Sequence, residues 1–251
     1  MSAVLLEQMT WPEAKEAFRR RPVCVVPVGA VEQHGHHLPM NTDSINVYEL
    51  ARRAAEQAGD AIVAPVINIG VSWNHINFPG TLSLRLRTLM DVLKDVSVCL
   101  SRHGARRVIL LNGHGGNISA VHAAADELRE EHGLIVGVVY SPFLVEHSKR
   151  VYESKIEWHA DEAETSSTLY LNPATVRMDR AVNEHPKPAV SAFFKFEEAA
   201  LAKSVVSYGL PKTETITDSG TVGDAKLATR EKGEVVMTEA IENLVRVLRE
   251  P

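Results

Sequence analysis

Short apolar, β-branched runs alternate along this chain with longer stretches whose apolar residues recur every three or four positions. "VCVVPV" (23–28), "AIVAPVI" (61–67), "RVILLN" (107–112) and "LIVGVVY" (134–140) are nearly continuous in hydrophobic character, which is how strands buried on both faces read. Between them, Leu89, Val92, Leu93, Val96 and Leu100 fall on one face at helical spacing. "INVYELARRAAEQAG" (45–59) ends on a glycine that suits a helix C-cap. "NISAVHAAADELREEHG" (117–133) opens on an asparagine suited to N-capping and closes on another glycine. The alternation predicts an α/β fold: three layers (αβα), with a mainly parallel central sheet between helices.

No repeat, low-complexity tract or linker interrupts this pattern, so a single domain over residues 1–251 is expected. The stretch from about 141 to 220 is less regular and holds Pro142, Pro173, Pro186, Pro188 and Pro211. It reads either as an insertion that shapes a pocket or as ordinary long surface loops.

Composition narrows the function classes. With 45% hydrophobic and 24% charged residues, the chain is ordinary for a globular protein and unlike a disordered one. A net charge of -5 offers no basic patch for nucleic acid. No apolar run approaches the ~18 residues of a membrane span, and the N-terminal segment lacks the charged-then-apolar order of a signal peptide. Cys24 and Cys99 sit in apolar runs and read as buried, reduced thiols, so a cytoplasmic protein is expected.

Eleven histidines are more than packing requires, and several cluster where the predicted strands end. Glu32 and His34 follow the first strand within "VPVGAVEQHGHHLPMNTDS", and Asp43 lies nine residues beyond His34. Glu32 and His34 are two apart, so an extended backbone points both to one side. Glu, His and Asp converging make a mixed nitrogen and oxygen set suited to Zn²⁺, Mn²⁺ or Fe²⁺. For Glu32 alone a structural ion pair is an equal alternative, and His36 and His37 read as loop residues or supports. His75 reads as a packed loop histidine or a substrate contact.

His114 lies in "LLNGHGGN", where Gly113, Gly115 and Gly116 let the backbone turn sharply beside a bound group. The P-loop and dinucleotide glycine patterns are both absent, and the central histidine favours metal. "EWHADEAETSSTLYL" supplies His159, Glu162 and Glu164. Two residues apart, the glutamates cannot share a helical face. One would face the site, and the other would be a first-turn glutamate favoured by the helix dipole.

Together, "PVGAVEQHGHHLPMNTD", "NHINFPGTLSL", "LLNGHGGN", "HADEAETS" and "SGTVGDAKLATREKGE" resemble the creatininase (creatinine amidohydrolase) family, in its NGHGGN-containing branch. The resemblance implies a creatininase-like fold, two divalent metal ions per chain and a homo-oligomer, a hexamer being favoured. It also implies hydrolysis of a non-peptide, often cyclic, C–N bond through a metal-bridging hydroxide. By position, Glu32, Asp43 and His114 would hold one metal and His34, Asp43 and Glu164 the other, with Asp43 bridging. His159 takes the family's catalytic position as the acid for the leaving nitrogen, and His75, Gly115 and Gly116 would contact substrate. Asp161 stands where the family usually has glycine, which makes creatinine itself a less suitable substrate than another amide.

Other readings stay open at this level. Within the family they are a formamide hydrolase acting on a nucleotide-derived substrate and a peptidase of cofactor maturation. Outside it they are a dinuclear phosphoesterase and a metal-binding protein without turnover.

Overall fold

The computed structural model describes residues 4–187 and 211–250. Among them, β1 (Val23–Val28), β2 (Ala61–Val63), β3 (Arg107–Asn112) and β4 (Val136–Tyr140) form a parallel sheet in the order β2-β1-β3-β4. Two of the four sequence runs match their strands to the residue. "AIVAPVI" does not: β2 stops at Val63, before Pro65. A proline has no N–H for the ladder, so the chain leaves the sheet there and touches β1 again only at Ile67.

The period-two alternation of β1 divides the core. Val23 and Val25 face one layer with α2 (Thr42–Ala58) and the last helix, α6 (Arg230–Arg249). Cys24, Val26 and Val28 face the other, with α1 (Trp11–Arg19), α3 (Leu86–His103) and α4 (Ile118–His132). The result is a three-layer αβα arrangement with a fully buried central strand.

The helix ends follow their sequence signals in part. Gly59 and Gly133 close α2 and α4 in the left-handed conformation, at φ 85° and 61°. Asn117 does not cap α4 with its side chain. Its Oδ1 accepts the Val71 N–H at 2.8 Å, and its Nδ2 donates to the Gly29 carbonyl at 2.9 Å. It therefore ties together three loops beside the sheet. Cys24 is buried as expected, but Cys99 is exposed on α3.

The less regular stretch builds a second, antiparallel sheet in the order β5-β7-β6, from β5 (Glu157–His159), β6 (Asn183–Glu184) and β7 (Val222–Asp224). Between β5 and β6 lies α5 (Glu162–Leu171), which packs on α6. Residues 188–210, including Pro188, lie outside the described residues. No helix among the described residues is long and apolar enough to cross a membrane.

Candidate metal centre

β1 and β3 are neighbours in the sheet, yet the helices that follow them, α2 and α4, pack on opposite faces. The two exits diverge and leave a crevice at the carboxyl ends of the strands, where open α/β sheets bind ligands. Glu32 and His34 enter it from the β1 exit, His114 from the β3 exit and Asp43 from the first turn of α2. Helix α2 begins three residues earlier than its apolar pattern suggests, so Asp43 sits at a helix N-terminus, which favours its charge. His159 arrives on β5 and Glu164 on α5.

These side chains meet. Asp43 turns one oxygen to each of two histidines: Oδ1 lies 3.2 Å from His34 Nε2, and Oδ2 lies 3.0 Å from His114 Nδ1. Glu32 Oε2 is 3.3 Å from His114 Nε2, and Glu164 Oε2 is 3.8 Å from His34 Nε2. His159 Nδ1 lies 3.8 Å from Glu32 Oε1 and 4.0 Å from Glu164 Oε2. Ligand-type atoms of Glu32, Asp43 and His114 fall within 4.8 Å of one another, as do those of His34, His159 and Glu164, and those of Glu32, His75 and His159.

The rings are oriented by main-chain carbonyls. His34 Nδ1 is 3.1 Å from the Glu32 carbonyl and His114 Nε2 is 3.1 Å from the Val71 carbonyl. A carbonyl only accepts, so each of these nitrogens carries a proton, and the opposite nitrogen of each ring faces Asp43. That is how histidine ligands are commonly held. Both carboxylate oxygens of Glu32, and Oδ2 of Asp43, are buried without a hydrogen-bond partner. Buried anionic oxygens are costly unless a cation or donor compensates them. A divalent metal between these residues fits that need.

The protonation of the metal-free cluster agrees. Burial opposes charge on His34 and His114, but Asp43, Glu32 and, for His34, Glu164 outweigh it and raise them to about 10 and about 9. Burial also opposes ionisation of Asp43, yet His34 and His114 hold it well below the ordinary carboxylate range. Glu32 rises to about 7 because burial outweighs the attraction of His114. Two ring protons therefore stand in for missing positive charge. His159 goes the other way: burial, then His75 and His34, depress it well below an ordinary histidine.

Glu164 is placed by an unusual backbone. Ala160 adopts φ +49°, and its N–H donates to Glu164 Oε2 at 2.6 Å. A left-handed non-glycine residue costs about 1–2 kcal/mol, while a hydrogen bond to a charged group returns about 1.5–3 kcal/mol. The hydrogen bond outweighs the strain. Asp161 is buried and caps α5 through the Glu164 N–H at 3.0 Å.

The two glutamates do diverge, but Glu162 is no solvated first-turn residue. It is fully buried, accepts the N–H groups of Glu153 and Ser154 at 2.9 and 2.6 Å, and pairs with Lys232 at 2.5 Å. It pins the segment leading into β5 to α6.

His75 is buried, and its Nδ1 lies 2.9 Å from Gln33 Nε2 while its Nε2 lies 3.4 Å from Glu32 Oε1. A Cβ at Gly116 would stand 2.1 Å from the Val71 carbonyl and 2.5 Å from His114 Nε2, so the missing side chain serves the seating of His114. A Cβ at Gly115 would meet only the Tyr140 hydroxyl, at 3.5 Å. His36 is exposed, whereas His37 is buried against Thr165 at 2.8 Å.

A cavity of about 160 Å³ opens beside Asp43 and Glu164, lined by Val47, Leu50, Val145 and Met237, with Lys149 and Glu157 also on its wall. Glu164, with its side chain a third exposed, forms the accessible side of the cluster. Sequence reasoning missed Gln33, Asn117 and Lys232. Their long-range partners lie 42 to 187, 46 to 88 and up to 79 residues away, and no short motif encodes such contacts.

Comparison with known proteins agrees with this geometry. The family model for creatininase, creatinine amidohydrolase, matches residues 7–248. The chain is 32% identical to the creatinine amidohydrolase of Pseudomonas putida, covering 99% of this chain and 97% of that protein. It is also 32% identical to a mycofactocin precursor peptide peptidase of Mycolicibacterium smegmatis, over 88% of this chain and 81% of the other. A solved creatininase variant of Zn-Zn type superposes with a TM-score of 0.81 at 30% identity, covering 99% of this chain and 98% of that one.

Proposed function

The chain belongs to the creatininase family of amide-bond hydrolases, and from that premise we propose that it is a dinuclear-metal amidohydrolase cleaving a small, often cyclic, non-peptide C–N bond. One observation carries the reading: the Asp43 carboxylate turns one oxygen toward His34 and the other toward His114. Glu32, Asp43 and His114 would hold one cation. His34, Asp43 and Glu164 would hold the other. Zinc, manganese and iron all suit such a donor set, and the Zn-Zn form of the related creatininase supports zinc first. When bound, the cations would activate a water and polarise the scissile carbonyl.

The chain's own residues supply the rest. His159 keeps its Nε2–H on the Gln33 carbonyl at 2.7 Å, so a lone pair at Nδ1 faces the cluster. Its depressed proton affinity leaves it neutral at pH 7. It therefore enters the reaction as a base, takes a proton from the attacking water, and returns that proton to the leaving nitrogen. An acid at this position has to be loaded first. Glu164 and the adjoining cavity form the side from which substrate approaches, and the cavity's apolar lining favours a compact, weakly polar amide.

We take the chain as one domain acting in a homo-oligomer, a hexamer being favoured by the family, and native mass determination tests this. Turnover of cyclic amides, formamides and short peptides by zinc- or manganese-loaded protein tests the activity. Hydrolysis of at least one amide class that is lost on metal removal is expected. Metal binding without turnover of any would support a binding protein instead.

A further inference from the structure

Gln33 is buried, 5% exposed, and its whole side-chain amide is engaged. Its Oε1 accepts the Gly35 N–H at 3.0 Å. Its Nε2 donates to the Gly220 carbonyl at 3.2 Å and lies 2.9 Å from His75 Nδ1. Turning the amide over would set Nε2 against the Gly35 N–H and Oε1 against the Gly220 carbonyl, two repulsive pairs. The amide orientation is thereby fixed. A donating amide makes His75 Nδ1 the acceptor, and a neutral imidazole with an acceptor Nδ1 carries its proton on Nε2.

That Nε2 lies 3.4 Å from Glu32 Oε1. The main-chain carbonyl of the same Gln33 holds the Nε2–H of His159 at 2.7 Å. The two rings, 4.4 Å apart between centroids, thus turn opposite faces to the cluster: an N–H from His75 and a lone pair from His159.

The backbone is shaped for this amide. Gly220 has φ +88°, and a Cβ there would fall 1.8 Å from Gln33 Oε1. Any side chain at residue 220 would displace Gln33. This gives the "SGTVGD" segment, far from the ligands in sequence, a direct part in the site.

We propose that Gln33 is a positioning residue that locks His75 in the tautomer whose Nε2–H is turned toward Glu32 Oε1, 3.4 Å away, closing the Glu32–His75–His159 group to metal and leaving Glu32 Oε2 for the cation shared with Asp43 and His114. The role of Glu32 in this statement rests on the ligand set proposed above; the tautomer of His75 does not. Ligating carboxylates are themselves commonly held by hydrogen bonds, and removing the holder costs about 10–100-fold in metal affinity.

The first test needs neither metal nor substrate. In metal-free protein labelled with ¹⁵N-histidine, long-range proton–nitrogen spectra should show His75 protonated at Nε2 and bare at Nδ1. The signals that vanish in His75→Gln identify the residue. A proton on Nδ1 overturns the lock, whatever the activity proves to be. The second test uses two variants and zinc alone as the ligand. His75→Gln retains an N–H at the end of its side chain and should keep the zinc affinity and stoichiometry of the parent. His75→Leu should weaken zinc about 10–100-fold. Loss of a metal in both variants would make His75 a ligand, and unchanged zinc binding in both would make it a substrate contact. Either result overturns the proposal, while a protein that passes both tests and hydrolyses no amide would refute only the proposed activity.

Discussion

His159 donates its Nε2–H to the main-chain carbonyl of Gln33 at 2.7 Å, which leaves Nδ1 as the nitrogen that faces Glu32 and Glu164. If His159 carries the proton and holds no metal, His159→Ala should retain two metals per chain. Its kcat should fall by about 10²–10⁴-fold. The loss should be smaller for amides whose leaving amine is a weak base, since these need less protonation in the transition state. Rescue by excess metal would instead place His159 among the ligands, a position its Nδ1 also approaches, near His34 and Glu164.

Glu164 and Glu162 should fail in different ways. Glu164→Gln should cost one metal and nearly all turnover with little change in the fold. Glu162→Gln removes the buried anion that Lys232 and the Glu153 and Ser154 amides share, while Lys232 keeps Glu153; losing hydrogen bonds to a charged group costs about 1.5–3 kcal/mol. Thermal unfolding should show that loss, with both metals retained. Metal loss in Glu162→Gln and not in Glu164→Gln would reverse the assignment.

Acidity should govern metal-free and metal-loaded protein differently. His34 and His114 are raised to about 10 and about 9. Their ion pairs stabilise metal-free protein fully below the ordinary histidine pKa, and that contribution disappears as pH rises through 9 and 10. Melting of metal-free protein should therefore drop from about pH 6.5 to about pH 10, and metal should abolish most of the drop. Because a ligand must shed its proton, zinc binding at pH 7 should release protons, which calorimetry in buffers of different ionisation enthalpy measures. Zinc uptake without proton release would contradict this balance.

How much of this was legible in the sequence depends on the range of the interaction. The strands "VCVVPV" and "RVILLN" emerge intact because continuous β-branched burial is a local signal. The cluster of candidate ligands was visible because the strand exits of an α/β sheet converge, and the residues that converge are of ligand type. Glu162 stands in the first turn of α5, as its spacing from Glu164 suggests, but its partners, Lys232 and the amides of Glu153 and Ser154, come from other segments and leave no local signal. For His75 the sequence leaves a packed histidine and a substrate contact equally open, because the partners that pack it are not local: Gln33 lies 42 residues before it and Glu32 is adjacent only in space. Asn117 carries a helix-cap signal, but its amide bridges loops instead, since buried main-chain groups of Gly29 and Val71 compete for it.

In the proposed ligand set, both metal positions share Asp43. Asp43→Asn removes a charge shared by two cations, so metal content should fall toward one or none per chain and turnover should be lost with it. Retention of two metals would deny the shared role.

Anomalous diffraction from zinc-loaded crystals of the unaltered protein tests the dinuclear centre most directly. Two peaks are expected on either side of the Asp43 carboxylate, one within reach of Glu32 and His114 and one within reach of His34 and Glu164. A single peak, or a peak among Glu32, His75 and His159, would contradict that arrangement.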